Sequence, residues 1–189
     1  MQRRAFLRTL SLGAAGLAGA HSPLLSAQAR RSPDVIFVPT PNQVVDLMLT
    51  MAGVSSQDIV YDLGSGDGRI PITAAQRYGA RGVGIDINPV RIEEARANAR
   101  DARVEDKVRF VEGDLFEANI SEATVVTLYL LNTLNVKLRP KLLKDLKPGT
   151  RVVSHAFHMG DWKPEKTDGV QGSEVFLWRV PGKPAAGKS

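Results

Sequence analysis

The sequence predicts an α/β protein built on a mostly parallel, doubly wound sheet of six to seven strands. Two observations carry that expectation. Short, nearly continuous apolar runs alternate with segments of helical spacing from residue 37 onward. Such runs suit strands covered on both faces, and the alternation suits parallel strands joined by crossover helices. In addition, a glycine-rich turn, Gly64-Ser65-Gly66-Asp67-Gly68, closes one apolar run and opens a helix. Doubly wound sheets hold ligands at turns of this kind.

The elements follow in order. Asn42–Met51 reads as a helix burying Val44, Val45, Leu47, Met48 and Met51. Ile59–Leu63 is a short buried strand ending at the glycines, and Arg69–Tyr78 is a helix carrying Ile70, Ile72, Ala74 and Ala75. Val83–Ile87 is the second strand. Asn88 is a good side-chain cap and Pro89 a good first helical residue, so a helix runs from there to about Arg100. Val108–Val111 is the third strand. Ala123–Leu131 is the most apolar run and is expected to be central. Leu138, Leu142, Leu143 and Leu146 form a helical stripe that Pro148-Gly149 stops. Arg151–Ser154 and Val175–Val180 complete the set. Met159–Gly172 is polar and rich in Gly and Lys, and reads as a loop.

Composition narrows the chemistry. A chain of 189 residues suits one domain, and 43% apolar with 24% charged residues is ordinary for a globular protein. With no cysteine, disulfides, thiolate metal sites and cysteine nucleophiles are excluded. The formal charge of +5 falls by three to +2 once Arg3, Arg4 and Arg8 are set aside. The remaining basic residues are scattered, so a solvated surface is the reading and no nucleic acid is expected as a partner.

The N-terminus reads as an address. Residues 1–33 contain no acid; Arg3-Arg4-Ala5-Phe6-Leu7 precedes an apolar stretch from Leu10 to Ala20, and Ala27-Gln28-Ala29 offers a cleavage site. This is a secretory pattern, and the arginine pair followed by Phe-Leu resembles a twin-arginine signal. The expected organisation is a leader over 1–29, a linker over 30–36, a folded domain over 37–182 and a flexible tail over 183–189. The location expected is periplasmic or exported. A mitochondrial transit peptide, or a misassigned start on a cytoplasmic protein, remains the alternative.

The glycine loop is the sharpest signal. A dinucleotide pyrophosphate wants G-x-G-x-x-G. Here the spacing is G-x-G-x-G, with Arg69 at the third-glycine position of the dinucleotide form. Asp62 stands at the strand tip before the first glycine. A carboxylate there opposes a pyrophosphate and suits a ligand with an ammonium group, such as the methionine part of S-adenosylmethionine (SAM). Asp86 ends the second strand, 24 residues on, where an acid accepts from ribose hydroxyls. That alone does not separate SAM from NAD, and Asp86 also suits helix capping. Asp114 follows the third strand, where it can accept an adenine amine while Leu115 and Phe116 supply an apolar edge; by itself it reads more readily as a loop acid. Ser65 and Gly68 of the loop and Asn88 join the candidate cofactor residues.

Val38-Pro39-Thr40-Pro41, the Asp62–Arg69 loop, Gly113-Asp114-Leu115-Phe116, Thr124–Leu131 and Pro148–Ser154 resemble class I SAM-dependent methyltransferases. More closely, they resemble the protein-lysine methyltransferases of the ATP synthase c subunit and the adenine nucleotide translocase, with their bacterial relatives. The resemblance spans about residues 37–180. It implies a Rossmann-like class I methyltransferase fold and SAM as cofactor. Asp62, Gly64 and Gly66 would cradle the methionine end, Asp86 the ribose and Asp114 the adenine, with Thr40 in a segment that closes over them. It also implies a protein lysine as acceptor, on a partner near a membrane. The family often has proline after the Leu-Leu of the fourth strand, where this chain has Asn132.

Methyl transfer from a sulfonium needs alignment of acceptor, methyl and sulfur and no nucleophilic residue. Tyr129 and Asn132, after the fourth strand, are the candidate catalytic residues on the acceptor side. Core packing for Tyr129 and turn capping for Asn132 stay open beside that role. His155 and His158 read as surface or satisfied histidines, and with no third ligand beside them no metal is expected. Trp162 and Trp178 read as packing residues. Two other functions stay open: a small-molecule methyltransferase, and a non-catalytic SAM-binding module.

Overall fold

The computed structural model describes residues 37–182. The leader over 1–29, the linker over 30–36 and the tail over 183–189 lie outside the described residues. The elements are α1 (Asn42–Met51), β1 (Ile59–Leu63), α2 (Arg69–Tyr78), β2 (Arg81–Asp86), α3 (Pro89–Asp101), β3 (Val108–Glu112), β4 (Val125–Leu128), α4 (Asn132–Asp145), β5 (Arg151–His155), β6 (Lys166–Val170) and β7 (Ser173–Arg179).

They form one seven-stranded sheet in the order β3-β2-β1-β4-β5-β7-β6. The first five strands are parallel, whereas β7 runs antiparallel to both β5 and β6. This is the Rossmann-like class I methyltransferase arrangement expected, and β4 is central.

Alternate residues of each strand go to opposite faces. Val60, Val125, Val153 and Leu177 pack against α1 and the start of α2. Val108 and Phe110 pack against Ile72, Ala75, Ile92 and Ala95 of α2 and α3. On the other face, Leu63, Val126, Val152 and Trp178 meet Leu138 and Leu142 of α4. Ile120, Met159 and Trp162, from the connecting segments, fill in around that single helix. No helix intervenes between β3 and β4 or between β5 and β6. Among the described residues, the sheet is therefore covered by three helices on one face and one on the other.

The sequence expectations need four corrections. Met159–Gly172 is not all loop, because Lys166–Val170 is strand β6. It lies at the sheet edge, is held by its ladder with β7, and buries almost nothing, so it has no apolar signature. The fourth strand ends at Leu128, short of the apolar run, and Leu130 beyond it packs beside Gly64 of the glycine loop. The helix α4 starts at Asn132 with no side-chain cap, so its first turn is silent in sequence. Finally, β3 is an edge strand buried on one face only, with Arg109 and Val111 exposed on the other.

Polar ties fix the register at the lower edge. Asp58, nearly buried, accepts from Thr124 Oγ1 at 2.7 Å and from the Ser55 backbone N–H at 2.8 Å, and pairs with Arg151. Arg151 Nη1 also donates to the Ala52 carbonyl at 2.8 Å. One carboxylate thus links the chain after α1 to β1, β4 and β5.

Candidate active site

The strand order reverses at β1 and β4, and ligands of doubly wound sheets sit outside the carboxyl ends of the strands at such a point. A cleft open to solvent lies there. The loops after β1, β2, β3 and β4 line it, with residues 37–40 over it.

The glycine loop is shaped by close approach. Gly64 adopts φ 85°, and a Cβ there would stand 3.0 Å from Leu130. The Gly64 and Ser65 N–H groups both donate to the Ile85 carbonyl, at 2.8 and 3.0 Å. The loop is thereby pinned onto the end of β2. Gly66 donates its N–H to Asp86 Oδ2 at 2.9 Å, and Asn88 donates its N–H to Asp86 Oδ1 at 2.9 Å. Asp86 therefore organises both loops that border it. The Asn88 side chain caps α3 by accepting from the Val90 N–H at 2.9 Å.

Asp62 is buried and accepts from Thr127 Oγ1 at 2.7 Å across the β1–β4 ladder. Burial pushes its carboxyl up to about 7; the Thr127 hydroxyl opposes this, while the nearby Asp86 and Asp67 charges add to it. Ser65 also lines the cleft, and its buried Oγ has no partner. Asp114 lies across the cleft and accepts from the Phe116 N–H at 2.9 Å, beside Leu115.

Arg69, at the start of α2, clasps Asp67 through Nε–Oδ1 at 3.0 Å and Nη2–Oδ2 at 2.6 Å. Its Nη1 donates to the Thr40 carbonyl at 2.9 Å, tying residues 37–40 to the glycine loop. The Phe37 ring lies under the Arg91 guanidinium at 4.7 Å.

Of the sequence candidates, Thr40, Asp62, Gly64, Ser65, Asp86, Asn88, Asp114, Leu115 and Tyr129 line the cleft. Gly66, Gly68 and Asn132 do not. Gly66 donates its N–H to Asp86, and a Cβ on it would overlap the Phe37 ring. A Cβ on Gly68 would meet the Phe110 ring at 2.5 Å and Ala95 at 2.9 Å, so its glycine serves helix–sheet packing. Asn132 accepts from the His158 N–H at 2.7 Å, tying the segment after β5 to α4. Tyr129 is half-buried and stacks on His155, with ring centroids 3.9 Å apart.

The histidine reading is half corrected. His158 is exposed, but His155 is buried, its Nδ1 has no partner, and burial pushes its pKa down. Trp178 is fully buried and donates Nε1–H to the Trp162 carbonyl at 2.7 Å, as packing residues do. Sequence reasoning missed Asp67 and Arg69 as cleft residues. The sequence carries only the opposite charges of Asp67 and Arg69, two residues apart at the start of α2.

This fold, with acids at the tips of three successive strands around one cleft, is that of a SAM-dependent methyltransferase. A solved RNA methyltransferase from Salinibacter ruber, in complex with S-adenosyl-L-homocysteine, superposes with a TM-score of 0.77 at 56% identity, covering 80% of this chain and 99% of that one. The chain belongs to the ANTKMT methyltransferase domain family, which it matches over residues 62–166. It is 51% identical to a protein-lysine N-methyltransferase of Saccharolobus islandicus over 78% of this chain and 95% of that protein. It is 32% identical to the ATP synthase c-subunit lysine N-methyltransferase of Mus musculus over 70% of this chain, spanning 53% of that enzyme's length.

Proposed function

We propose that this methyltransferase holds SAM in the cleft and methylates a lysine amine of a protein. The observation that carries the acceptor is the 51% identity, over 95% of its length, to the Saccharolobus islandicus protein-lysine N-methyltransferase.

The residues fit the cofactor. Asp62 is a buried carboxylate in need of a cation, and the methionine ammonium supplies one. Asp86 has an oxygen on each side already oriented by a backbone N–H, leaving lone pairs for ribose hydroxyls. Asp114 and Leu115 line the cleft and would take an adenine amine and its ring. SAM supplies an activated methyl on its sulfonium. The chain's own task is alignment, with Tyr129 on the acceptor side. The acceptor must arrive as the neutral amine, although lysine has a pKa of ~10.4 in water. The half-buried ring of Tyr129, backed by the buried His155, takes water from one side of the acceptor, and that loss of solvation favours the neutral amine.

The test is to incubate the purified protein with methyl-labelled SAM and a cell extract separated into membrane, soluble protein, RNA and small molecules. The expected result is nuclease-resistant label in protein, recovered as methyl-lysine on hydrolysis. Label that nuclease removes would favour RNA, the substrate class named for the Salinibacter ruber relative. Label only in small molecules would favour a metabolite acceptor. Tight SAM binding with no transfer would favour a sensor.

We also propose that residues 1–29 export the protein by the twin-arginine route, on the pattern of Arg3-Arg4-Ala5-Phe6-Leu7 and Ala27-Gln28-Ala29.

A further inference from the structure

One buried side chain has no part in the cofactor site. Asn135 of α4 is fully buried. Its Nδ2 donates to Ser154 Oγ and to the Phe157 carbonyl, both at 3.1 Å. These two partners bracket His155 and Ala156. Between them the backbone is strained: Ala156 adopts φ 62°, in the left-handed region, which a residue with a Cβ avoids. The Phe157 N–H folds back to the His155 carbonyl at 2.8 Å, and the Ala156 N–H is held by the Glu174 carbonyl at 2.8 Å. Asn132, one turn earlier on α4, holds the His158 N–H.

The strained turn presents two rings. Tyr129 stacks on His155 at 3.9 Å and 26°, and on Phe157 at 5.9 Å and 25°. Tyr129 lines the cleft. A turn selected for stability alone would carry glycine at φ 62°. Strain of this kind persists where the surroundings over-determine it, and it gathers at functional sites. The Asn135 Oδ1 and His155 Nδ1 atoms are both buried without a partner, a second cost borne at the same turn.

We propose that Asn135 is a positioning residue for methyl transfer. It locks the Ser154–Phe157 turn, whose His155 and Phe157 rings fix Tyr129 and so set the angle at which the acceptor meets the methyl group. In-line displacement is sensitive to such alignment. The proposal rests on the methyltransferase reading, and not on lysine being the acceptor.

Two variants test it. Phe157→Leu removes one of the two rings stacked on Tyr129, at a half-buried position, and leaves every Asn135 bond available, so the protein should still fold. It should keep its SAM Kd within about twofold, yet lose kcat by about tenfold or more, since a misplacement near 1 Å costs up to ~100-fold. Asn135→Ala should lower kcat likewise, with SAM affinity retained. Should that variant fail to fold, Phe157→Leu decides alone. Wild-type kcat and acceptor KM in Phe157→Leu would overturn the proposal, as would a loss of SAM affinity in Asn135→Ala that matches its loss of kcat. Rates are measured on whichever acceptor the wild-type protein labels. Label confined to small molecules overturns the lysine reading alone, and the variants are then scored on that acceptor. A wild-type protein that binds SAM and transfers nothing overturns both.

Discussion

Asp62 is the residue whose chemistry is set most strongly by its surroundings. Burial first, then the charges of Asp86 and Asp67, raise it from 3.8 to about 7 against the Thr127 hydroxyl bond. A carboxyl whose folded pKa lies above its unfolded value binds the extra proton in the native state. The ligand-free protein therefore loses stability from this group as pH rises from 3.8 through about 7. An ammonium beside the ionised Asp62 offsets that loss. SAM should accordingly raise the melting temperature more at about pH 8 than at about pH 6, and Asp62→Asn should bind SAM weakly and erase the pH dependence. A wild-type shift that is the same at both pH values would remove Asp62 from the ammonium site. Asp86 carries a different load. Asp86→Ala should cost about 1.5–3 kcal/mol of SAM binding per hydrogen bond lost to a charged acceptor. Titration calorimetry reads this directly, and unchanged affinity would take Asp86 out of the site.

At the scale of elements, Gly68 and Asp58 hold the frame that the site residues stand on. Gly68 precedes α2 at φ 79°, where a Cβ would meet Phe110 of β3 and Ala95 of α3. Gly68→Ala should destabilise by about 1–3 kcal/mol through overpacking and backbone strain. Its SAM affinity should survive, because the residue is not on the cleft. Urea titration checks the first point, and an unchanged midpoint would mean that α2 and α3 part at no cost. Asp58 is pushed up by burial, yet hydrogen bonds from Thr124, Ser55 and Arg151 more than offset this and hold it below its ordinary value. The stability it contributes is present above pH 3.8 and is lost as pH falls through the lowered value. Asp58→Ala leaves Arg151 half-buried without its partner and should cost about 3 kcal/mol. Its denaturation midpoint should also vary less with pH below about 4 than that of the wild type.

For the molecule as a whole, the uneven covering of the sheet matters most. Three helices close one face, and α4 with its neighbouring segments partly closes the other. The cleft stays open at the strand tips with no inserted domain among residues 37–182. A large acceptor can approach such a cleft, as the lysine proposal requires. Among the described residues no helix is long and apolar enough to cross a membrane. The proposed export rests on the leader. Replacing Arg3 and Arg4 together with lysine should leave uncleaved precursor in the cytoplasm, followed by fractionation and immunoblotting. Wild-type protein found uncleaved in the cytosol would overturn the export proposal and place the protein beside the cellular supply of SAM.

Neighbouring residues alone suffice to read the sheet, its mostly parallel sense and the loop that builds the cleft. Each of these is written locally, in apolar runs, in Asn88-Pro89 at a helix start, and in glycines where φ is positive. The same locality placed Asp62, Asp86 and Asp114 at strand tips, because a strand end and the turn after it can be read from adjacent residues. Strand β6 escaped because it is stabilised by ladder bonds at an edge and buries no side chains that would mark it. The clasp of Arg69 on Thr40, 29 residues apart, and the stack of Tyr129 on His155 join segments whose spacing carries no period. These contacts exist only once the chain is packed. The same holds for His155, buried without a partner at Nδ1, since a histidine's burial depends on which distant rings and carbonyls surround it.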